Sequence, residues 1–203
     1  MVNVGQMEFQ DVVRRRRMVR TFDDRPLSPA VVERILANGA RAPSAGFTQG
    51  WAFLVLEGPE ETARFWAASA PPDGNRARTR WPGVLQAPLL VVVLADEGAY
   101  RRRYAEPDKA ASGLAEGPWP VPYWHVDAGF AALLMLLTAV DAGLGALFLG
   151  VSDHDGLRRA FGVPDDWTPV GAVAVGHPLP DEPSSSLARG RRPLQEVVHR
   201  GRW

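Results

Sequence analysis

The feature that most constrains the fold of this chain is residues 127–140 (DAGFAALLMLLTAV), which are apolar nearly all the way round a helix. A helix without a polar face has to be covered on every side. A chain of 203 residues can hardly enclose such a helix alone, so we expect a second subunit to cover part of it. The apolar run of residues 128–140 is 13 residues long, well below the roughly 20 that a bilayer requires, so no membrane span is expected.

Apolar runs of strand length alternate with helical patterns along the rest of the chain. Residues 88–95 are apolar almost throughout, as in a strand that is covered on both faces. This alternation predicts a layered α/β (α+β) fold with a mixed central sheet, in a single domain of residues 1–203. We expect further strands at 51–56, 145–151 and 170–177, and helices at 9–17, 28–39, from 59 onward and at 153–161.

Residues 96–123 are predicted to form an irregular segment, because four prolines lie there among aromatic and charged residues. A loop of this length in a compact domain is usually functional. It is therefore a candidate lid, and Trp119, Tyr123 and Trp124 are candidates for contact with a substrate. The alternative is that these aromatic residues only pin the loop to the core, and the sequence leaves both interpretations open.

Several kinds of chemistry are excluded by composition. The chain has no cysteine, which removes thiolate nucleophiles, disulfides and Cys-ligated metals, and its four histidines are too scattered to suggest a metal site. No phosphate-binding loop or nucleophile elbow is present. The formal net charge is zero, so nucleic acid or an anionic membrane is not an expected partner. If this is an enzyme, its reactive group is not expected to be a side chain.

Two groups of arginines lie far apart in the chain. Arg16, Arg17 and Arg20 belong to the first group, and Arg189 and Arg191 to the second. Arg16 and Arg20 would face the same way if the first helix continued through them. The groups are either solvated surface charges or a phosphate cradle, since guanidinium groups bind phosphate in a bidentate manner.

A loop of mostly small residues, 41–50, lies between a predicted helix and a predicted strand, and beyond Arg41 it is neutral. Its centre, Pro43-Ser-Ala-Gly-Phe47, carries no charge, and aromatic residues flank it. Small uncharged residues allow a backbone to approach a flat group closely, whereas charges there would have to be desolvated.

Taken together, these motifs resemble the nitroreductase-like flavoprotein family. The resemblance runs through Arg16-Arg-Met-Val-Arg-Thr-Phe22, Ala42-Pro-Ser-Ala-Gly-Phe-Thr-Gln-Gly-Trp51 and Gly143-Leu-Gly145. It continues in Val175-Gly-His-Pro178 and in Arg189-Gly-Arg-Arg-Pro-Leu194. The motifs follow the order of the family over nearly the whole chain.

The resemblance implies an FMN-containing homodimer with an exchanged C-terminal arm. A cytoplasmic location is expected because the N-terminus has no apolar signal segment and no membrane span is expected. NAD(P)H would reduce the flavin at N5, and a small-molecule electron acceptor would then reoxidise it in a ping-pong cycle. Catalysis would use no side chain, and the backbone N–H groups of Leu149 and Gly150 would lie near N5. The residues implied in cofactor binding are Arg16, Arg17, Met18, Arg20, Pro43, Ser44, Ala45, Phe47, Gln49, Leu149, Gly150, Arg189 and Arg191, and those implied in substrate binding are Phe47, Trp119, Tyr123 and Trp124.

The chain departs from the family pattern at three positions. Met18 replaces the usual serine, Phe47 the usual asparagine and Gly50 the usual proline. Members that fragment flavin to make the lower ligand of cobalamin carry Asp and Ser at the positions of Met18 and Gly150, so that reaction is not expected. Three further functions stay open: an F420-dependent enzyme, an oxidase acting on a peptide-derived metabolite, and a flavin-binding protein without turnover.

Overall fold

A computed structural model of the chain describes residues 7–70 and 81–203. Residues 1–6 and 71–80 of the predicted domain lie outside the described residues. The helices are α1 (Phe9–Arg15), α2 (Pro29–Gly39), α3 (Gly58–Ala68), α4 (Glu97–Tyr104), α5 (Tyr123–Asp141) and α6 (His154–Phe161). The strands are β1 (Phe22–Asp23), β2 (Trp51–Glu57), β3 (Leu89–Ala95), β4 (Gly145–Leu149) and β5 (Thr168–Pro178).

The five strands form one sheet, in which β3 and β5 are central. β3 pairs with β2 on one edge and with β5 on the other, and β4 pairs with β5. β1 pairs with the last two residues of β5. All of these pairings are antiparallel, and an isolated bridge between Met18 and Ala146 is parallel. The prediction of a mixed α+β layer structure is confirmed, but the strands themselves form an antiparallel sheet.

Helix α5 lies in the core, as its composition predicts, and begins at Tyr123 instead of residue 127. Its buried face, including Ala128 and Met135, packs against the sheet and α2. The approach to α2 is so close that a Cβ on Gly39 would lie 2.5 Å from Met135 Cε. Phe130 and Leu133 on the other face are 42% and 44% exposed, so the chain alone does not cover the helix on every side.

Among the described helices, α5 has the length and the apolar composition that crossing a membrane would require. A helix of a protein core meets the same measures, and 44% of the apolar window of α5 is buried within the chain. Its packing against β3, β4 and β5 accounts for its composition without a bilayer.

Two helix predictions were wrong. Helix α1 ends at Arg15 because the backbone becomes extended at Arg16 (φ −56°, ψ 118°). Arg16 and Arg20 therefore do not share a helical face. The predicted irregular segment 96–123 contains α4, an arginine-rich helix whose buried residue is Tyr100. With a single buried position, α4 has no apolar stripe that sequence reading could detect.

Beyond β5 the chain forms an exposed C-terminal arm, residues 185–203. Its apolar side chains do not pack on the core: Leu187 and Leu194 are each 70% exposed and Trp203 is 99% exposed. The single chain therefore leaves a series of apolar side chains of the arm exposed to solvent.

Candidate functional site

The N-terminal arginine segment, residues 16–20, lies along the edge of β4. The N–H of Val19 donates to the carbonyl of Ala146 at 3.0 Å, and the N–H of Phe148 points to Met18 Sδ at 3.5 Å. Met18 is half-buried and packs against the apolar clusters on both sides of the sheet. Its thioether is therefore a packing contact, which explains a methionine where a serine hydroxyl is usual. This packing places the arginines beside the strand that ends at Leu149.

A buried carboxylate, Asp181, joins the arginine segment to the residues between β5 and the C-terminal arm. Asp181 Oδ1 accepts from Arg17 Nη1 at 2.7 Å, and Oδ2 accepts from the backbone N–H of Arg20 at 2.7 Å. Its side chain is only 5% exposed. The Arg20 guanidinium donates to the Met18 carbonyl at 3.0 Å and lies 4.6 Å from the ring centroid of Trp81. Arg17 and Arg20 are thus oriented by partners in the same chain.

These contacts make the stability of the chain depend on the ionisation of Asp181. Burial opposes ionisation, but the Arg20 N–H and the Arg17 guanidinium outweigh it and lower the pKa of Asp181 below its ordinary 3.8. A lowered pKa in the folded state gives stability that is present above the unfolded pKa and is lost as the pH falls through the folded value.

We expect Asp181→Asn to lower the free energy of unfolding at neutral pH by about 1–3 kcal/mol, because a charged hydrogen-bonding partner is lost. The difference from the unsubstituted protein should begin to shrink below about pH 4, the unfolded pKa, and should disappear once the pH has fallen through the lower pKa of folded Asp181. Urea unfolding over this pH range at fixed protein concentration measures both effects. Asp11→Asn is the matched control, since Asp11 pairs with Arg14 at an exposed site and should contribute well under about 1 kcal/mol. A constant difference at every pH would contradict the role of Asp181.

The neutral loop forms a tight turn, residues 44–49, with three left-handed residues. Gly46, Phe47 and Gln49 have φ values of 63°, 56° and 54°. A left-handed conformation costs a non-glycine residue about 1–2 kcal/mol, so surrounding contacts have to hold the turn. Two contacts come from outside the turn: Ala45 N–H donates to Asp127 Oδ2 at 2.8 Å, and Arg103 Nε to the Gly46 carbonyl at 2.9 Å. A third lies within it, where Gln49 N–H donates to Ser44 Oγ at 2.9 Å.

The two unusual residues of this loop have structural consequences. The ring of Phe47 is 76% exposed, so the strained turn presents a large apolar side chain to solvent. Gly50 packs on Tyr100, and an added Cβ would lie 2.5 Å from Tyr100 Cε2. Glycine at position 50, where the family usually has proline, is therefore required by the buried tyrosine beneath it.

The predicted substrate residues Trp119, Tyr123 and Trp124 belong to one aromatic group with Tyr100 and Tyr104. Trp119 is central, with ring centroids 4.7 Å from Tyr104 and 5.8 Å from Trp124, and its Nε1 donates to the Leu114 carbonyl at 2.9 Å. Trp119 and Trp124 are half-buried, whereas Tyr123 is 40% exposed. The group pins residues 105–122 to α4 and α5, which is the structural role considered for it. Contact with a substrate stays a prediction.

The structure brings some of the predicted site residues together and leaves others apart. Leu149 ends β4 beside the arginine segment, and Gly150 follows it at an exposed position where an added Cβ would meet nothing within 4 Å. Arg189 and Arg191 lie on the exposed arm, and no hydrogen bond or ion pair among the described residues joins them to residues 16–20. Sequence reasoning missed Asp127, Asp181 and Arg103 as functional residues, because each acts on a segment distant in the chain.

Comparison with known proteins gives the class of this chain. The nitroreductase family profile matches residues 13–177. An NADPH-dependent oxidoreductase of Staphylococcus aureus (strain USA300) is 28% identical over 200 residues, which cover 95% of this chain and 73% of the relative. The chain therefore belongs to the nitroreductase family and is an oxidoreductase.

Solved structures agree with this fold. A nitroreductase family protein from Clostridium difficile 630 superposes with a TM-score of 0.71 at 21% identity, covering 97% of this chain and 100% of that one. A putative nitroreductase from Exiguobacterium sibiricum 255-15, crystallised in complex with FMN, superposes with a TM-score of 0.72 at 21% identity. The match covers 95% of this chain and 97% of that one. A nitroreductase family protein from Streptococcus pneumoniae TIGR4 superposes with a TM-score of 0.73 at 19% identity. The match covers 95% of this chain and 99% of that one.

Proposed function

We propose that this protein is an FMN-dependent NAD(P)H oxidoreductase that reduces nitroaromatic, quinone or enone acceptors. The observation that carries the proposal is the uncharged turn of residues 44–49, which the chain holds in a strained form with Phe47 exposed. Strain of this kind is typical of a segment shaped for a ligand. Family membership supports the assignment, and relatives that are named for NADPH or crystallised with FMN favour these two cofactors.

The chemistry of the residues fits FMN. The turn offers neutral small residues to a planar ring, and the open position at Gly150 leaves room for a ring edge against the backbone. The arginines are suited to a phosphate and to the polar edge of a flavin. FMN would be held by Arg16, Arg20, Arg189 and Arg191 with the backbone at Met18 on one side, and by Pro43, Ser44, Ala45, Phe47 and Gln49 on the other. Arg17 is bound to Asp181 and would act mainly by placing its neighbours.

When bound, FMN would accept hydride from NAD(P)H and pass it to the acceptor. The protein's part in the reaction is electrostatic and steric. The arginines would stabilise negative charge that develops on the reduced cofactor, and the backbone N–H groups of Leu149 and Gly150 would donate hydrogen bonds at the reacting edge. Phe47 and Tyr123 are exposed enough to contact an aromatic acceptor. The ring of Trp119 packs against both Tyr123 and Trp124 and would hold Tyr123 in position.

The complete site is proposed to need two copies of the chain, forming a cytoplasmic homodimer of single-domain subunits (residues 1–203). The exposed face of α5 and the apolar residues of the C-terminal arm are both uncovered in one chain. A groove of about 470 Å³ between α1, α2 and α5, lined by Phe9, Leu134 and Leu137, could receive part of a partner. An exchanged arm would also bring Arg189 and Arg191 to a site that they do not reach within their own chain.

Anaerobic mixing with NADPH tests the proposed activity. The protein loaded with FMN should lose its flavin absorbance much faster than free FMN does, and a quinone added afterwards should restore it. Initial rates with both substrates varied should give the parallel-line pattern of a ping-pong cycle. Reduction no faster than that of free FMN would favour a flavin-binding protein without turnover.

The same preparation distinguishes an FMN-dependent reductase from an F420-dependent enzyme and from an oxidase. Chromatography of the cofactor released on denaturation separates FMN from F420. Oxygen consumption in the presence of peptide-derived substrates, without NADPH, would indicate an oxidase. Either result would replace the proposed reaction while leaving the family assignment intact.

A further inference from the structure

We infer that Asp127 is a positioning residue that fixes the turn of residues 44–49 and, through Tyr100, ties this turn to the aromatic group around Trp119. The inference rests on the proposed function, because it concerns the two walls of the proposed flavin and acceptor site. It assigns a task to a buried carboxylate that the proposed reaction itself does not use.

The geometry around Asp127 connects three elements at one oxygen atom. Asp127 lies in α5 and is 2% exposed. Its Oδ2 accepts from the backbone N–H of Ala45 at 2.8 Å and from the hydroxyl of Tyr100 at 2.8 Å. The loop, α4 and α5 therefore meet at a single carboxylate, and a shift of one of them would stretch a charged hydrogen bond in a buried place.

Tyr100 extends this connection to the aromatic group. It is fully buried, and its ring centroid lies 6.0 Å from that of Trp119 and 6.2 Å from that of Trp124. The same ring supports Gly50 at the end of the turn. Burial, and then the hydrogen bond to Asp127, raise the pKa of Tyr100 far above its ordinary value of 10.0, so its hydroxyl stays a donor at every working pH.

The turn has a second, independent attachment at Arg103. Its Nε donates to the Gly46 carbonyl, while Nη1 and Nη2 bind the two oxygens of Asp108 at 2.7 and 2.8 Å. Arg103 is thus fixed by Asp108 and holds the turn at Gly46, one residue beyond the bond to Asp127 at Ala45. Because Arg103 remains in place when Asp127 is changed, the turn should become misplaced without becoming fully unfolded.

The test is a comparison of Asp127→Ala, Asp127→Asn and Tyr100→Phe. Asn keeps an oxygen that can accept from both Ala45 and Tyr100, whereas Ala removes it, and Phe removes only the tyrosine hydroxyl while keeping the ring. We expect the dissociation constant of FMN to rise about tenfold or more for Asp127→Ala and about three- to tenfold for Tyr100→Phe, and to stay within about threefold for Asp127→Asn. The visible circular dichroism of bound flavin should change in the same order.

A measurement without flavin makes the inference independent of activity. Amide hydrogen exchange of the apoprotein should accelerate at residues 44–49 in Asp127→Ala and remain unchanged in the interior of α5. Glu61→Ala is the control, since the Glu61 carboxylate also accepts a backbone N–H, that of Glu57, but at the end of β2 that is far from the turn. It should alter neither exchange at residues 44–49 nor FMN binding.

The outcomes separate the inference from the proposed function. If the unsubstituted protein does not bind FMN, the proposed function fails, and the exchange measurement on the apoprotein alone decides whether Asp127 fixes the turn. If it binds FMN, but Asp127→Ala and Tyr100→Phe lower only the melting temperature and keep the affinity, dichroism and exchange at residues 44–49, then Asp127 is merely structural and the inference is overturned. If Asp127→Ala does not fold, the FMN affinity of Tyr100→Phe and its amide exchange at residues 44–49 decide whether the inference holds.

Discussion

Replacing Arg16 and Arg191 together with glutamine is expected to weaken FMN binding by roughly a thousandfold, since each charged hydrogen bond contributes about 1.5–3 kcal/mol. Either replacement alone should cost roughly ten- to a hundredfold. Glutamine keeps much of the side-chain length but removes the charge and the bidentate geometry that suit a phosphate. Fluorescence titration of FMN into the apoprotein measures the affinities.

The salt dependence of the same titration tests the electrostatic origin of the effect. Binding to the unsubstituted protein should weaken as salt is added, and the double variant should lose most of this dependence. Arg14→Gln is the control, because Arg14 belongs to the same run of arginines but lies on exposed α1 and pairs with Asp11. Its affinity should match that of the unsubstituted protein. A double variant that binds FMN within threefold of the unsubstituted protein would mean that the arginines are surface charges.

Introducing a charge on the exposed face of α5 is expected to abolish the proposed dimer. Leu133 is 44% exposed in a single chain, so Leu133→Asp would change the free energy of unfolding of a monomer by only about 0.5 kcal/mol. In a dimer that buries this face, it would place an unpaired carboxylate in an apolar interface at a cost of several kcal/mol. We expect loss of the dimer, a large fall in melting temperature and loss of bound flavin.

Sedimentation and thermal unfolding at several protein concentrations measure this effect. For the unsubstituted dimer, the melting temperature should rise with concentration, since dissociation and unfolding are linked. Ala63→Asp, on an exposed position of α3, is the control for an added surface charge and should leave both measurements nearly unchanged. A folded and stable monomer of the unsubstituted protein at low concentration would contradict the proposed interface.

Local patterns in the sequence predicted much of the fold. The continuous apolar run of β3 and the all-apolar α5 are both buried as expected, because their composition has no polar face to expose. Pro29 begins α2 as predicted, although Ser28 makes no side-chain cap, and Asp153 caps α6 through the N–H of Gly156. These features depend on residues that are close together in the chain.

The parts that the sequence did not predict depend on distant residues. Asp127 holds Ala45 across 82 positions, and Asp181 holds Arg20 across 161, and no local pattern reports such contacts. Helix α4 was missed because arginines occupy most of its last turn and its single buried residue gives no periodic signal. The neutral loop was recognised as unusual, but its left-handed residues and the exposure of Phe47 became evident only in three dimensions.

The arginine groups mark the limit of sequence reasoning at this site. The resemblance to the nitroreductase family implied a phosphate held by both groups, but α1 ends before Arg16, and the arm that carries Arg191 is exposed in the single chain. We propose that the two groups converge only when a second subunit is present, and neither the sequence spacing nor a single chain shows this convergence. It remains a proposal, and the Arg16 and Arg191 variants address it directly.

The most direct measurement is the number of FMN molecules bound per chain in the dimer, determined by equilibrium dialysis of the purified apoprotein. If residues of both subunits form each site, saturation should be reached at one FMN per chain, that is, two per dimer, with the binding lost in Leu133→Asp. A colourless protein that takes up no FMN at any concentration, or a folded monomer that binds it as tightly as the dimer does, would contradict the shared site.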